Sequence, residues 1–145
     1  MKLSTRSRYG LRLMLALARN YGKGNTFLKE MAREEGISEK YLSLIIIPLK
    51  GVGLVNSVRG ASGGYTLARE PAQITLKDIM DVLEGDCLVD CLKDPLFCSR
   101  VNICASHDIW AMLSGRISET LSGITLEQLV TMNKDKLEKS VSPSI

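Results

Sequence analysis

Gly36-Ile37-Ser38-Glu39-Lys40-Tyr41-Leu42, followed by Gly53-Leu54-Val55-Asn56-Ser57-Val58-Arg59-Gly60, is the stretch on which the fold turns. Gly36 closes one helical pattern and Ser38 suits the cap of the next, because a short hydroxyl accepts from the free backbone N–H groups that open a helix. The helix before the turn carries Leu28, Met31 and Ala32, with Thr26 as its expected N-cap, and the helix after it runs from Ser38 to Leu49. Two short helices on a tight glycine turn form a helix-turn-helix. Leu44-Ile45-Ile46-Ile47-Pro48 predicts that the second helix is short or bent, since Pro48 has no backbone N–H to donate. Segments 51–60 and 65–68 then read as two strands around the turn Gly60-Ala61-Ser62-Gly63-Gly64, where Gly63-Gly64 is expected to supply positive φ. A hairpin directly behind a recognition helix is a wing. The expected class is therefore mainly α with a small β-hairpin wing, a winged helix-turn-helix extended by a long dimerisation helix.

Working outward, an N-terminal helix from Arg6 to about Tyr21 places Leu11, Met14, Leu15 and Ala18 at helical spacing. Tyr9, Leu13 and Leu17 widen that stripe, so the helix is expected to be buried on more than one side. Thr75 caps a fourth helix whose buried face is Ile79, Met80, Val82 and Leu83, and Gly85 stops it. From about Ser106 to Leu121, Trp110, Leu113, Ile117 and Leu121 make a stripe suited to a partner subunit. Gly123 ends this helix, residues 125–130 form a last one, and the tail from Asn133 reads as frayed. The divisions are 1–85 for the DNA-binding domain, 86–104 for a cysteine-rich loop, 105–133 for the dimerisation and final helices, and 134–145 for a flexible tail.

With 145 residues, 45% of them hydrophobic, the chain is long enough for one compact core, or a core plus an appended helix, but not for two large domains. No apolar run approaches the roughly 18 residues needed to span a bilayer, and the start Met1-Lys2-Leu3-Ser4-Thr5-Arg6 does not read as a cleavable leader, so a cytoplasmic protein is expected. The net charge of +3 conceals an asymmetry. Residues 1–70 hold 12 Lys and Arg against 5 Asp and Glu, whereas 71–145 hold 7 against 11. A basic half attracts phosphate backbones.

All four cysteines and the only histidine lie between Cys87 and His107. Cys91, Cys98, Cys104 and His107 form C-x6-C-x5-C-x2-H, soft donors on loops long enough to wrap a metal. In a reducing compartment such a cluster favours ligation over structural disulfides. The spacing departs from the close cysteine pairs of zinc knuckles, which favours iron–sulfur ligation, with zinc on three cysteines and a histidine as the rival and a metal-free thiol switch as the third reading. Catalysis finds no support: His107 is alone, and Asp86, Asp90 and Asp94 read as solvated charges.

For DNA, Ser38, Lys40, Tyr41 and Ser43 are the candidates on the recognition helix, and Arg59 the candidate at the wing tip for a minor groove. The competing class is a zinc-binding or thiol-redox interaction module that uses its basic half on anionic proteins, without sequence-specific DNA binding.

The start Met1-Lys2-Leu3-Ser4-Thr5-Arg6-Ser7-Arg8-Tyr9, the turn Gly36-Ile37-Ser38 with Tyr41-Leu42, the segment from Gly53 to Gly60 with Gly63-Gly64-Tyr65, and Cys104-Ala105-Ser106-His107-Asp108-Ile109-Trp110 together resemble the IscR/NsrR/CymR family of bacterial transcription regulators. The likeness covers about residues 1–132. Three cysteines followed by a histidine are most similar to the IscR branch, which implies a dimeric winged-helix regulator that carries a 2Fe–2S cluster and controls iron–sulfur biogenesis genes. It also implies Cys91, Cys98 and Cys104 as thiolate ligands and His107 as the fourth. Departures are informative. The first gap is x6 where the branch has x5, and Cys87 is an additional thiol able to replace His107. Arg8 stands where the NsrR branch has an acidic ligand, CymR-like members lack the cysteine set, and Ser43 stands where the IscR branch often has glutamate.

Overall fold

Thr5–Arg19 (α1) is the helix around which the others assemble. Ser4 caps it, its Oγ accepting from the Ser7 N–H, and the helix packs against four other helices and one strand. That many-sided burial explains why its apolar residues exceed a single stripe: Leu13, Met14 and Leu17 are all at most 1% exposed. Gly10 is where α1 passes close to α4, since a Cβ there would run into the Leu83 side chain. The computed structural model describes residues 1–61 and 63–141.

Leu28–Glu35 (α2) and Glu39–Gly51 (α3) form the helix-turn-helix. Gly36 adopts φ +65, and the Ile37 N–H donates to the Ala32 carbonyl, so the turn satisfies the carbonyls at the end of α2. Ser38 caps α3 through an Oγ that accepts from the Tyr41 N–H. Arg12 and Arg19 of α1 both reach Glu35, with nitrogen–oxygen distances of 2.8 and 3.3 Å, fixing α2 against the central helix. Pro48 does not cut α3 short. The helix continues to Gly51, because Leu42, Ile45, Ile46 and Leu49 are buried in the core, an anchorage that outweighs one missing hydrogen bond.

Val55–Val58 (β1) and Gly64–Leu67 (β2) pair antiparallel, Val55 opposite Leu67 and Val58 opposite Gly64. Thr26 does not cap α2. It bridges to β2, its N–H donating to the Tyr65 carbonyl at 2.9 Å and its carbonyl accepting from the Tyr65 N–H at 2.8 Å, and the cap position falls one residue later, on Phe27. The wing root is thereby tied to the loop that enters α2. Gly64, with φ +145, also has no room for a side chain, since a Cβ would lie 2.8 Å from the Thr26 carbonyl oxygen. Gly63 is needed for space and not for positive φ: a Cβ there would strike the Val58 carbonyl. Ser62, expected in the same turn, lies outside the described residues.

Leu76–Leu83 (α4) opens with a capping box in which Thr75 and Asp78 satisfy each other's backbone N–H groups. Its start is joined to that of Leu126–Val141 (α7), the Leu76 N–H donating to the Ile124 carbonyl and the Leu126 N–H to the Ile74 carbonyl. Between them run the short helix Asp90–Lys93 (α5), one 3-10 turn at Val101–Ile103, and Ala105–Ser122 (α6). The expected tail is helical as far as Val141, a correction with a plain cause. Leu126, Leu129, Val130, Leu137 and Val141 keep a helical spacing, and the intervening lysines and glutamates are good helix formers. Residues 142–145 of that tail lie outside the described residues. Among the described residues no helix is long and apolar enough to cross a membrane.

Candidate nucleic-acid interface and cysteine segment

The proposed contact residues lie on α3 and at the tip of the hairpin, in unequal states. Lys40 is exposed and carries a cation free of any protein ion pair among those found in the described residues. Ser38 is committed to the helix cap. The Ser43 hydroxyl donates to the Lys40 carbonyl at 2.6 Å, and Tyr41 meets Tyr9 edge to face with ring centroids 5.9 Å apart. Arg8 and Arg12 lie over the Tyr9 ring, their guanidinium carbons 5.7 and 5.6 Å from its centroid. Arg59 follows β1 directly and is exposed at the tip of the hairpin, with Gly60 turning the chain at φ +105. The recognition helix and wing thus expose Lys40, Lys50 and Arg59 to solvent.

The cysteine segment is built differently. Cys87, Cys91, Cys98 and Cys104 are all free and half-buried, and His107 is likewise half-covered. Cys87 Sγ donates to the Val89 carbonyl at 2.9 Å, Cys91 sits on α5, and α5 packs against α6, whose first turn follows Cys104 and contains His107. His107 Nδ1 lies 3.7 Å from Asp108 Oδ1. Among the described residues no three His, Cys, Asp or Glu side chains converge on a point that could hold a metal ion. The donor chemistry suits a soft metal; the geometry requires the loop to draw in around it.

One link went unread in the sequence. Ser4 and Ser7, at the start of α1, donate through their hydroxyls to the Glu84 carboxylate, with Ser4 Oγ at 2.6 Å and the Ser4 N–H adding a third bond. These bonds, the Ser4 hydroxyl foremost and the Ser7 hydroxyl next, hold the Glu84 carboxyl below the ordinary glutamate value. Glu84 precedes Gly85, where φ is +96 and the chain leaves α4 for the cysteine segment. Eighty residues separate the partners, so no local pattern announces the contact.

Along α6 no residue is fully buried. The expected stripe divides: Leu121 packs against the core of its own chain, Leu113 and Ile117 are half-covered, and Trp110 is 41% exposed with Ile109 and Met112 beside it. Ile117 and Leu121 line a groove of about 540 Å³ between α4, α6 and the N-terminus.

A family model named Rrf2, described as an iron-dependent transcriptional regulator, matches residues 3–132. The chain belongs to the Rrf2 family. It is similar to the HTH-type transcriptional regulator CymR of Bacillus subtilis, 40% identical over 139 residues that make up 95% of this chain and 96% of the relative. The solved structure of that protein, titled as a global cysteine regulator, superposes with a TM-score of 0.76 over 91% of this chain and 98% of its own. The structure titled T. potens IscR is 38% identical with a TM-score of 0.76, covering 99% of this chain and 94% of the other. An IscR regulator of Sodalis glossinidius is 36% identical over 131 residues, 90% of this chain and 79% of the relative. These Rrf2 relatives are transcription regulators, and the winged-helix architecture is theirs. Identity over the whole length does not divide the CymR from the IscR type.

Proposed function

We propose that this Rrf2 regulator is a cytoplasmic homodimer that binds a near-palindromic operator, and that its cysteine segment carries a 2Fe–2S cluster through which it senses iron–sulfur status and controls iron–sulfur biogenesis genes. The observation that carries the reading is the concentration of four free, half-buried thiols and the only imidazole in the segment that leads from the winged domain into the first turn of α6. Cys91, Cys98, Cys104 and His107 are the ligands, with Cys87 as the alternative fourth. When bound, a cluster supplies a redox-active and loss-sensitive centre whose thiolate bonds also order the chain that holds it. The protein's own part is structural. α5 and the first turn of α6 bring Cys91, Cys104 and His107 onto packed elements, and Glu84 links the start of the segment to α1. An exposed Trp110 with Ile109 and Met112 gives α6 the apolar surface for a second copy. Two recognition helices set about 34 Å apart would then meet successive major grooves.

The test is metal and sulfide analysis of anaerobically purified and reconstituted protein. Equal iron and acid-labile sulfide, two of each per chain, with visible absorption, are expected. Stoichiometric zinc without sulfide would instead establish the zinc centre. His107→Ala and Cys87→Ala spectra assign the fourth ligand, since only the true ligand's loss changes the absorption. A thiol switch without metal is the second reading, favoured by the unconverged, free cysteines and by the likeness to a protein titled as a cysteine regulator. Serine substitution at Cys91, Cys98 and Cys104 that abolishes an oxidant response without changing metal content would select it.

A further inference from the structure

The outward face of α3 bears two large aliphatic side chains where polar readers of base edges are expected. Leu44 is 57% exposed and Ile47 is 62% exposed, on the side of the helix opposite the buried Leu42, Ile45, Ile46 and Leu49. Lys40, Leu44, Ile47 and Gly51 follow the spacing of one helical stripe, and all four are exposed. Two hydroxyls at this helix already bond within the chain, Ser38 in its cap and Ser43 donating to the Lys40 carbonyl, and the Tyr41 ring packs on Tyr9. What remains free on the stripe is one cation and a branched apolar surface.

Resting on the DNA-binding reading above, we infer that Leu44 and Ile47 are specificity-determining residues that contact the C5-methyl groups of thymines in the major groove. The thymine methyl is the one apolar feature of a base edge in that groove, and aliphatic side chains recognise it by excluding water. Positive charge at Lys40 and Lys50, toward the two ends of the same helix, matches the flanking phosphates. A rise of about 1.5 Å per residue separates the two side chains by roughly 4.5 Å along the axis, comparable to the roughly 3.4 Å spacing of successive bases on a strand. They therefore meet neighbouring base pairs, and each half-site carries adjacent or near-adjacent thymines.

The experiment begins with full-length protein and a selection from random duplex DNA. The selected duplex is then remade with uracil for thymine, one half-site position at a time, which removes a methyl and leaves every hydrogen-bonding group in place. At the contacted positions affinity should fall about fourfold per methyl, the effect of one buried carbon group. In Leu44→Gln and Ile47→Ser, whose altered side chains lie outside the core, the thymine-to-uracil ratio at the matching position should collapse to about one. Wild-type protein that binds thymine and uracil duplexes equally overturns the inference while leaving sequence-specific DNA binding intact. Failure of any sequence to emerge, with equal binding of random duplexes, removes the DNA reading and this inference together.

Discussion

Residues 1–83 and residues 84–125 are folded by different means. Every fully buried hydrophobic side chain among the described residues lies in the first region, apart from Leu126 just beyond the second. The second region has no buried residue, and it turns Leu96, Phe97 and Ile103 toward water, Leu96 at 92% exposure. The first region therefore holds itself together by excluding water from α1, α3 and α4. The second, tied down by α5 on α6 and α6 on α4, has donor groups and apolar surface left over for something else to organise. On the function proposed above, the scaffold that reads DNA is already packed and the segment proposed to sense is not, so a ligand bound there would shift the population of the segment before that of the scaffold.

That contrast is broken most severely by substitution in the core. Leu42→Ala, at 1% exposure, should cost about 2–5 kcal/mol in denaturant unfolding, whereas Leu96→Ala should stay within about 0.5 kcal/mol. A large effect at Leu96 would mean that the loop is buried in solution, by a partner copy or by itself. Next in size, Arg59→Ala should weaken binding to a selected operator by about 1–3 kcal/mol with unfolding unchanged, and equal affinity would return Arg59 to ordinary surface. A smaller loss is expected at the helix cap. Thr75→Ala removes half of the capping box and should cost about 1 kcal/mol of stability, seen as a lower midpoint at unchanged slope.

The smallest effect sharpens the seam between the two regions. The Glu84 carboxyl is held below its ordinary value in the folded chain, so the unfolded chain binds its proton first as pH falls. Its contribution is fully present above the ordinary glutamate range and is lost as pH drops through the lowered folded value. Glu84→Gln should flatten this acid-side slope of stability against pH, with stability slightly lower than the wild type at neutral pH and no change of slope there. A slope identical in the wild type and the variant would show that the Ser4 and Ser7 bonds do not persist in solution.

The elements were legible where chemistry is local. Ser38 and Thr75 announce their helices because a hydroxyl three residues before a free N–H is a short-range device, and Gly36 and Gly85 announce helix ends through the positive φ they adopt. Thr26 misled for the same reason. Its hydroxyl looks like a cap, but its backbone is claimed by Tyr65, 39 residues away in the sequence. Pro48 does not shorten α3, because the burial of Ile45, Ile46 and Leu49 outweighs its local penalty. At the candidate sites, Lys40 and Arg59 are exposed, the Ser38 and Ser43 hydroxyls bond within the chain, and the Tyr41 ring packs on Tyr9, a contact that no local pattern reveals.

By itself the sequence determined the winged helix-turn-helix, the basic half and the crowding of thiols, since spacing, charge and composition are properties of the chain before it folds. Only the tertiary structure decided which polar groups are spent, which aliphatic side chains on α3 and α6 remain facing water, and that Glu84 is bound to the start of α1. Those outcomes depend on which distant surfaces meet, and burial is settled by the whole packed assembly and not by any residue's neighbours in the chain.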